Sequence, residues 1–479
     1  FKIILKSKYP QFIYWLAMPF FAPMPKEAIL FYSQKVLIDK NITIDRFPLG
    51  TGPYRIERYN PNMEIVLVKN ENYHDDYYPN EGDEDDPPEL LKDRGKKLPF
   101  IDEIVLKLER ESIPRWNKFL QGYYDTSGIT SDSFDQVIRF STDGSVELTD
   151  FIKKKGIKLI SSPRTATYYM GFNMLDETVG GYSEEKQKLR RAISIAIDYN
   201  EYIEIFNNGR GIVAMSPIPP GVFGYIGGKE GINPYVYKWD EDKKRPILRS
   251  IKEAKELLSE AGYPNGRDRE GRPLIINFDN FWTGPEFRPI LQWYSRRLKE
   301  LGIQLNIRTT DYNRFQDKIR NGNFQLYSWG WLADYPDPEN FLFLLICENS
   351  TVKTGGPNHS NYCRKEYDKL FNMMKNMENS PERMEIIREM VDIIQRDAPW
   401  LWGYHPVSFT LHHSWLTNVK PNEMTHRALV YYKIDPKLRS KKIKEWNRPR
   451  WRPLLVLTMI FIVGLIPAYF SKKKKRHTL

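Results

Sequence analysis

The stretch PLIINFDNFWTGPEFRPILQWYSRRLKELGIQLNIRTTDYNRFQDKIRNGNFQLYSWGW, residues 273–331, reads as five alternating elements. PLIINFDN, IQLNIRTTD and FQLYSWGW are short and rich in β-branched and aromatic residues, as strands are. Between them, PEFRPILQWYSRRLKELG and YNRFQDKIRNG carry apolar residues at helical spacing. This βαβαβ order predicts an α/β domain with a helix-covered sheet. Open α/β sheets keep their ligand crevices at the carboxyl ends of the strands. At that end the third strand runs into WGWLADYPDPENF (329–341), where Asp334 follows two tryptophans and Pro336 and Pro338 stiffen the loop. A carboxylate between aromatic walls suits an ammonium- or hydroxyl-bearing ligand, through a desolvated ion pair and cation–π contacts. The plain alternative is a turn-capping Asp334. Trp329 and Trp331 alternate along one strand and share a face, so core packing competes with ligand contact there.

Outward from this block, GTGPYRIERYNPNMEIVLVKNENYH (50–74) reads as a hairpin turning at Asn60-Pro61-Asn62, and DEIVLKLER (102–110) as a further strand. EGDEDDPPELLKDRGKK, within 75–98, reads as a solvated surface insertion. Its acids lack the spacing of a calcium loop. EEKQKLRRAISIAIDYNEYIEIF (184–206) predicts an amphipathic helix pair, EAKELLSEAGY (253–263) a short helix ending at Gly262, and SPERMEIIREMVDIIQRDAP (380–399) a long amphipathic helix. Strands follow in WLWGYHPVSFTLHHSWLTNV, where the adjacent His412 and His413 face opposite ways and read as structural. The first 45 residues alternate strand-like and short helical pieces. The chain opens at Phe1 inside the strand-like FKIILKS, which reads as a processed or N-terminally incomplete start.

At 479 residues the chain is long enough for two or three domains. Its net charge of +11 is concentrated at the end. Residues 437–479 hold 13 Lys and Arg against the single acid Glu445, which leaves 59 basic and 60 acidic residues over 1–436. A neutral body disfavours nucleic acid, which calls for a basic face on the folded domain. Pro453–Phe470 (PLLVLTMIFIVGLIPAYF) is uncharged and, as a helix, about 27 Å long at ~1.5 Å per residue, close to the ~30 Å hydrocarbon core. Trp451 and Tyr469 sit where interfacial aromatics belong, and the expectation is a C-terminal transmembrane helix. Basic residues on both sides of it leave its orientation undecided by charge.

Cys347 and Cys363 bracket a polar, turn-rich loop, and either a disulfide or two thiols suits that spacing. The lack of a CxxC pair argues against zinc, and GxSxG, HExxH, P-loop and GxGxxG signatures are missing. A glycosidase needs only two carboxylates across a cleft, so its spacing excludes nothing.

Four segments, in order, resemble the bacterial extracellular solute-binding proteins of family 5, the peptide/nickel class that serves ABC importers. They are GTGPYRIERYNPNMEIVLVKNENYH, YYMGFNM with LRRAISIAIDYNEYI, AKELLSEAGYPNG, and SWGWLADYPDPENF. The resemblance covers roughly residues 1–435 and implies an α/β, two-lobed periplasmic-binding-protein fold with an enlarged first lobe. Residues 1–167 and 404–436 would form that lobe, short of its N-terminal part, and 168–403 the second. Residues 437–452 would be a basic linker, 453–470 the transmembrane helix and 471–479 a basic tail.

The resemblance also implies that Asp334 holds a peptide's α-ammonium, that Gly330 and Trp331 pair with its main chain, and that Trp329 lies beside them. NFWTGPEF (280–287) matches a loop that supplies an arginine in dipeptide-type members. Here it offers Trp282 and Thr283, and the nearest cation is Arg288. Longer peptides, an oligosaccharide or a metal chelate therefore remain open as ligands. The same resemblance implies a Cys347–Cys363 disulfide, no cofactor or metal, no catalysis, an ABC permease as partner and a binding body on the extracytoplasmic side of the cell membrane. A membrane-tethered sensor or chaperone is the reading without transport.

Overall fold

The strands of the larger of two compact units carry apolar side chains on both faces, because helices cover both sides of its sheet. The computed structural model describes residues 2–84, 86–140, 146–422, 424–425, 427–449 and 451–476, with backbone alone at 131, 140, 451–454 and 468–476. The larger unit comprises Phe1–Leu49, Leu159–Thr410 and Lys420–Arg427; the smaller comprises Gly50–Lys158, Leu411–Val419 and Ala428–Leu479.

The smaller unit begins with an antiparallel sheet of β1 (Tyr54–Asn60), β2 (Glu64–Lys69) and β3 (Glu103–Lys107), followed by α1 (Ser112–Leu120). Segments distant in sequence complete it. His413 stacks on Trp415 at 4.0 Å and donates from Nε2 to the Phe119 carbonyl at 2.9 Å. Asp125 accepts from both Trp415 Nε1 and Arg439 Nε at 2.8 Å. The expected solvated insertion is anchored at its end, where buried Asp93 accepts from Lys96, Lys433 and Asn418. The expected basic linker is instead a helix, Pro436–Trp446. Asp435 caps it by accepting from the amides of Lys437 and Leu438, and Trp446 packs 5.5 Å from Trp415.

The larger unit contains β4 (Ala166–Phe172), α2 (Glu184–Ala196), α3 (Tyr199–Asn207), β5 (Gly211–Val213), α4 (Ile251–Glu260), β6 (Ile275–Asn280), α5 (Arg288–Lys299), β7 (Gln304–Thr309), α6 (Tyr312–Arg320), β8 (Leu326–Leu332), α7 (Pro381–Asp397) and β9 (Trp400–His413). The strand order is β7-β6-β8-β4-β9, with β5 on β9. β6 runs parallel to β7 and β8, while β8–β4 and β4–β9 are antiparallel. Met170, Phe172, Phe278, Leu326 and Leu401 point to one core with α2–α5. Tyr169, Tyr327, Trp400 and Trp402 point to the other with α6 and α7. Period-two alternation thus serves two helix layers, and the predicted βαβαβ block is present element for element.

Two expectations are corrected and a third finds no support. Among residues 2–49 there is no strand. Helices Phe12–Ala17, Lys26–Tyr32 and Lys35–Asp39 appear instead, and FKIILKS has no ladder to join; Phe1 lies outside the described residues. Residues 1–49 also group with the larger unit rather than with 50–158. Tyr9 and Gln11 explain this, Tyr9 by donating to Glu339 and Gln11 by accepting from Arg383 and donating to the Lys375 carbonyl. Finally, among the described residues no helix is long and apolar enough to cross a membrane. A helix does run from Trp451 to Arg476, but its described side chains cover only 455–467, about 20 Å at ~1.5 Å per residue. The remaining side chains of the expected span, at 453–454 and 468–470, lie outside the described residues.

Candidate ligand-binding site

β8 brings most of the sequence-predicted residues together. Trp329 and Trp331, on one face, are both half-buried. The Trp329 ring stacks on Phe315 at 5.1 Å and lies 4.4 Å from His359, so its indole serves the core. Trp331 meets Phe343 edge-on at 5.4 Å and donates Nε1–H to Asn340 Oδ1 at 3.1 Å. Gly330 faces the other way, beneath Tyr168. A Cβ there would sit 2.5 Å from Tyr168 Cδ1, which is why the position takes glycine.

The backbone of β8 has one open edge. Ala333 N donates to Thr165 O at 2.9 Å, and Asn173 N to Gln325 O at 2.8 Å, so the odd-numbered peptide groups of β8 face β4. Those of Gly330 and Leu332 therefore point away from β4, toward the side that β6 occupies farther back. Pairing with β6 ends at Asp279↔Tyr327, and among the described residues no strand takes its place beside Gly330.

Asp334 follows at this edge and is exposed. Its Oδ2 accepts from Asn340 Nδ2 at 3.3 Å and its own amide donates to Asn340 Oδ1 at 2.8 Å. Among the described residues no cation pairs with it. Asn340, only 2% exposed, thus fastens Trp331 and Asp334 together. Beneath the loop, Asp337 and Arg383 form a buried bidentate pair at 2.7 and 2.9 Å. Glu339 accepts from the hydroxyls of Tyr9 (2.8 and 3.0 Å) and Tyr335 (3.2 Å). Burial, reinforced by the charge of Asp337, pushes the Glu339 carboxyl up to about 7.

Trp282 and Thr283 lie on the loop after β6. Trp282 N donates to Asn280 Oδ1 at 3.0 Å, and its ring stacks with Phe287 at 5.8 Å and Tyr294 at 6.3 Å, so it packs on the α5 side of the sheet. Thr283 is exposed, and neighbouring Phe281 reaches the Trp329 ring at 6.5 Å. Cys347 and Cys363 are disulfide-bonded. Among the described residues no cluster of His, Cys, Asp and Glu suits a metal ion.

Sequence reasoning singled out neither Asn340, Tyr168 nor the Tyr9–Glu339–Asp337–Arg383 assembly. Nothing in the local pattern distinguishes Asn340, whose bonds to Trp331 and Asp334 appear only in the folded loop.

Residues 1–351 match the bacterial extracellular solute-binding proteins, family 5, and the chain belongs to that family. It is 25% identical over 417 residues to heme-binding protein A of Haemophilus influenzae, covering 85% of this chain and 63% of that protein. It is 22% identical over 437 residues to di/tripeptide-binding protein 2 of Pseudomonas aeruginosa, covering 91% and 70%. The chain therefore spans just under two thirds of the first relative's length. Its fold matches the ABC transporter-associated periplasmic binding protein DppA of Helicobacter pylori, solved with the peptide STSA. The TM-score is 0.66 at 21% identity, over 90% of this chain and 71% of that one. The oligopeptide-binding protein AppA of Bacillus subtilis, solved with a nonapeptide, matches with a TM-score of 0.63 at 19% identity, over 90% and 75%.

Proposed function

We propose that the chain is the substrate-binding component of an ABC importer that captures peptides and delivers them to a membrane permease, without catalysis. The observation that carries this reading is the open β8 edge at Gly330 beside Asp334, a carboxylate that no cation in the described residues neutralises. A peptide laid along that edge gains main-chain hydrogen bonds that ignore its side chains, and its α-ammonium reaches Asp334. Peptide-binding relatives and neighbours support the same ligand class. Trp282 packs away on aromatic rings and Thr283 offers a neutral contact, which favours oligopeptides over dipeptides that need a cation for their carboxylate. The disulfide and the family support an extracytoplasmic body.

For the C-terminal helix we propose membrane attachment, supported by exposed Leu455, Leu457, Ile460, Phe461 and Val463 and by the basic residues that follow. Titration calorimetry with tri- to pentapeptides tests the ligand assignment. Asp334→Ala should weaken a free-amine peptide by ~2–4 kcal/mol, as for a lost desolvated ion pair, and leave its N-acetylated form unchanged. Equal affinities of parent and variant for the free-amine peptide would remove Asp334 from the site.

A further inference from the structure

The larger unit has a second open strand edge, at the far side of its sheet. β7 is the outermost strand. Gln304 N donates to Leu274 O at 3.0 Å and Thr310 N to Asn280 O at 3.1 Å, so the even-numbered peptide groups of β7 face β6. Those of Leu305, Ile307 and Thr309 consequently face outward. Beside this edge α5 presents Arg288, Leu291, Gln292, Ser295 and Arg296, spaced three and four apart on one face. With Ile307 they line a groove of about 480 Å³. The helix buries its other face fully, through Trp293, Tyr294 and Leu298, while Leu291 and Ile307 border the core and stay only partly buried.

Arg297 pairs with Glu300 and Glu201, and Arg308 with Asp279. Arg288 and Arg296, by contrast, have no hydrogen bond or ion pair among the described residues, and between them lies the apolar floor of Leu291 and Ile307. An uncovered strand edge is a template for another chain, and two unpaired guanidinium groups select what that chain carries. We infer that this groove docks an extended acidic segment of a partner polypeptide, added as a strand to β7.

The spacing fixes the pattern. Arg288 and Arg296 are eight residues apart on the helix, ~12 Å at ~1.5 Å per residue. At ~3.3 Å per residue an extended chain covers this in about four residues, so carboxylates at i and i+4 lie on one face of the strand and meet both arginines. The surface is distinct from the β8 edge at Gly330 and uses none of its residues.

The test is fluorescence anisotropy on the full chain with labelled, N-acetylated, C-amidated heptapeptides of threonine and valine. One carries glutamate at positions 2 and 6, a second lysine at those positions, and a third glutamate at 2 and 5, on opposite faces. The 2,6-glutamate peptide should bind at least about tenfold more tightly than the other two and weaken with added salt. Arg288→Glu with Arg296→Glu should reduce its affinity by at least about tenfold, while Asp334→Ala leaves it unchanged. If that double variant fails to fold by circular dichroism, Arg288→Gln with Arg296→Gln carries the same comparison. Undetectable or equal binding of the three peptides overturns the inference. So does a loss on Asp334→Ala that the arginine variants do not share, which would put the peptide at the β8 edge instead.

Discussion

Glu339 should make the stability of the larger unit depend on pH in the direction opposite to that of an ordinary carboxylate. The residue is 8% exposed, and burial first, then the nearby Asp337 charge, raises its pKa from 4.5 to about 7. A carboxyl raised on folding keeps its proton longer in the folded chain than in the unfolded one. Its contribution is therefore complete below about pH 4.5 and is lost as pH rises through about 7. At ~1.4 kcal/mol per pH unit the interval is worth ~3 kcal/mol. Glu339→Gln keeps the shape and the bonds from Tyr9 and Tyr335 but does not titrate. The assay is urea unfolding followed by tryptophan fluorescence, from about pH 4.5 to 8.5, on parent and variant. His359, His405 and His413, each held near 4 by burial, act in the opposite direction within both proteins and cancel in the difference. The variant should gain ~2–3 kcal/mol over the parent between the two ends of the range. A flat difference curve, or one favouring the parent at high pH, would refute the reasoning.

Asn340→Ala should cost ~1–3 kcal/mol of stability by leaving Trp331 Nε1 and the Asp334 amide without their acceptor, and should lower free-amine peptide affinity in calorimetry. Arg383→Met strands a buried Asp337 carboxylate, and urea unfolding should show a loss of ~3–5 kcal/mol. Gly330→Ala drives a methyl into the Tyr168 ring; a loss of ~1–3 kcal/mol in thermal or urea unfolding is expected, with weaker peptide binding alongside it.

The βαβαβ block was legible because its strands are short and β-branched and its helices keep one apolar stripe, so local pattern and tertiary burial agree. Asp334 was legible for a similar reason, since an aromatic strand ending in a proline-stiffened loop places it at the carboxyl end of the sheet. Tyr9 and Glu339 were not legible. They are joined across 330 residues by a hydrogen bond that leaves no periodicity in either segment. Trp329 reads identically whether it meets a ligand or, as here, Phe315 and His359. Residues 437–446 looked like a linker because charge hides the helix. Only the Asp435-Pro436 cap announces it, and its packing depends on aromatic residues elsewhere in the smaller unit.

The smaller unit has a consequence for how the chain is made. Asp125 waits 290 residues for Trp415 and 314 for Arg439, and Phe119 waits 294 for His413. During synthesis from the amino end, residues 159–410 of the larger unit emerge before those partners do. The larger unit can therefore consolidate as an insertion while residues 50–158 are still missing their closing contacts. A premature stop near residue 410 would leave most of the larger unit intact and strip the smaller one of His413, Trp415 and Arg439 at once. The defect would then appear in residues 50–158, far upstream of the stop itself.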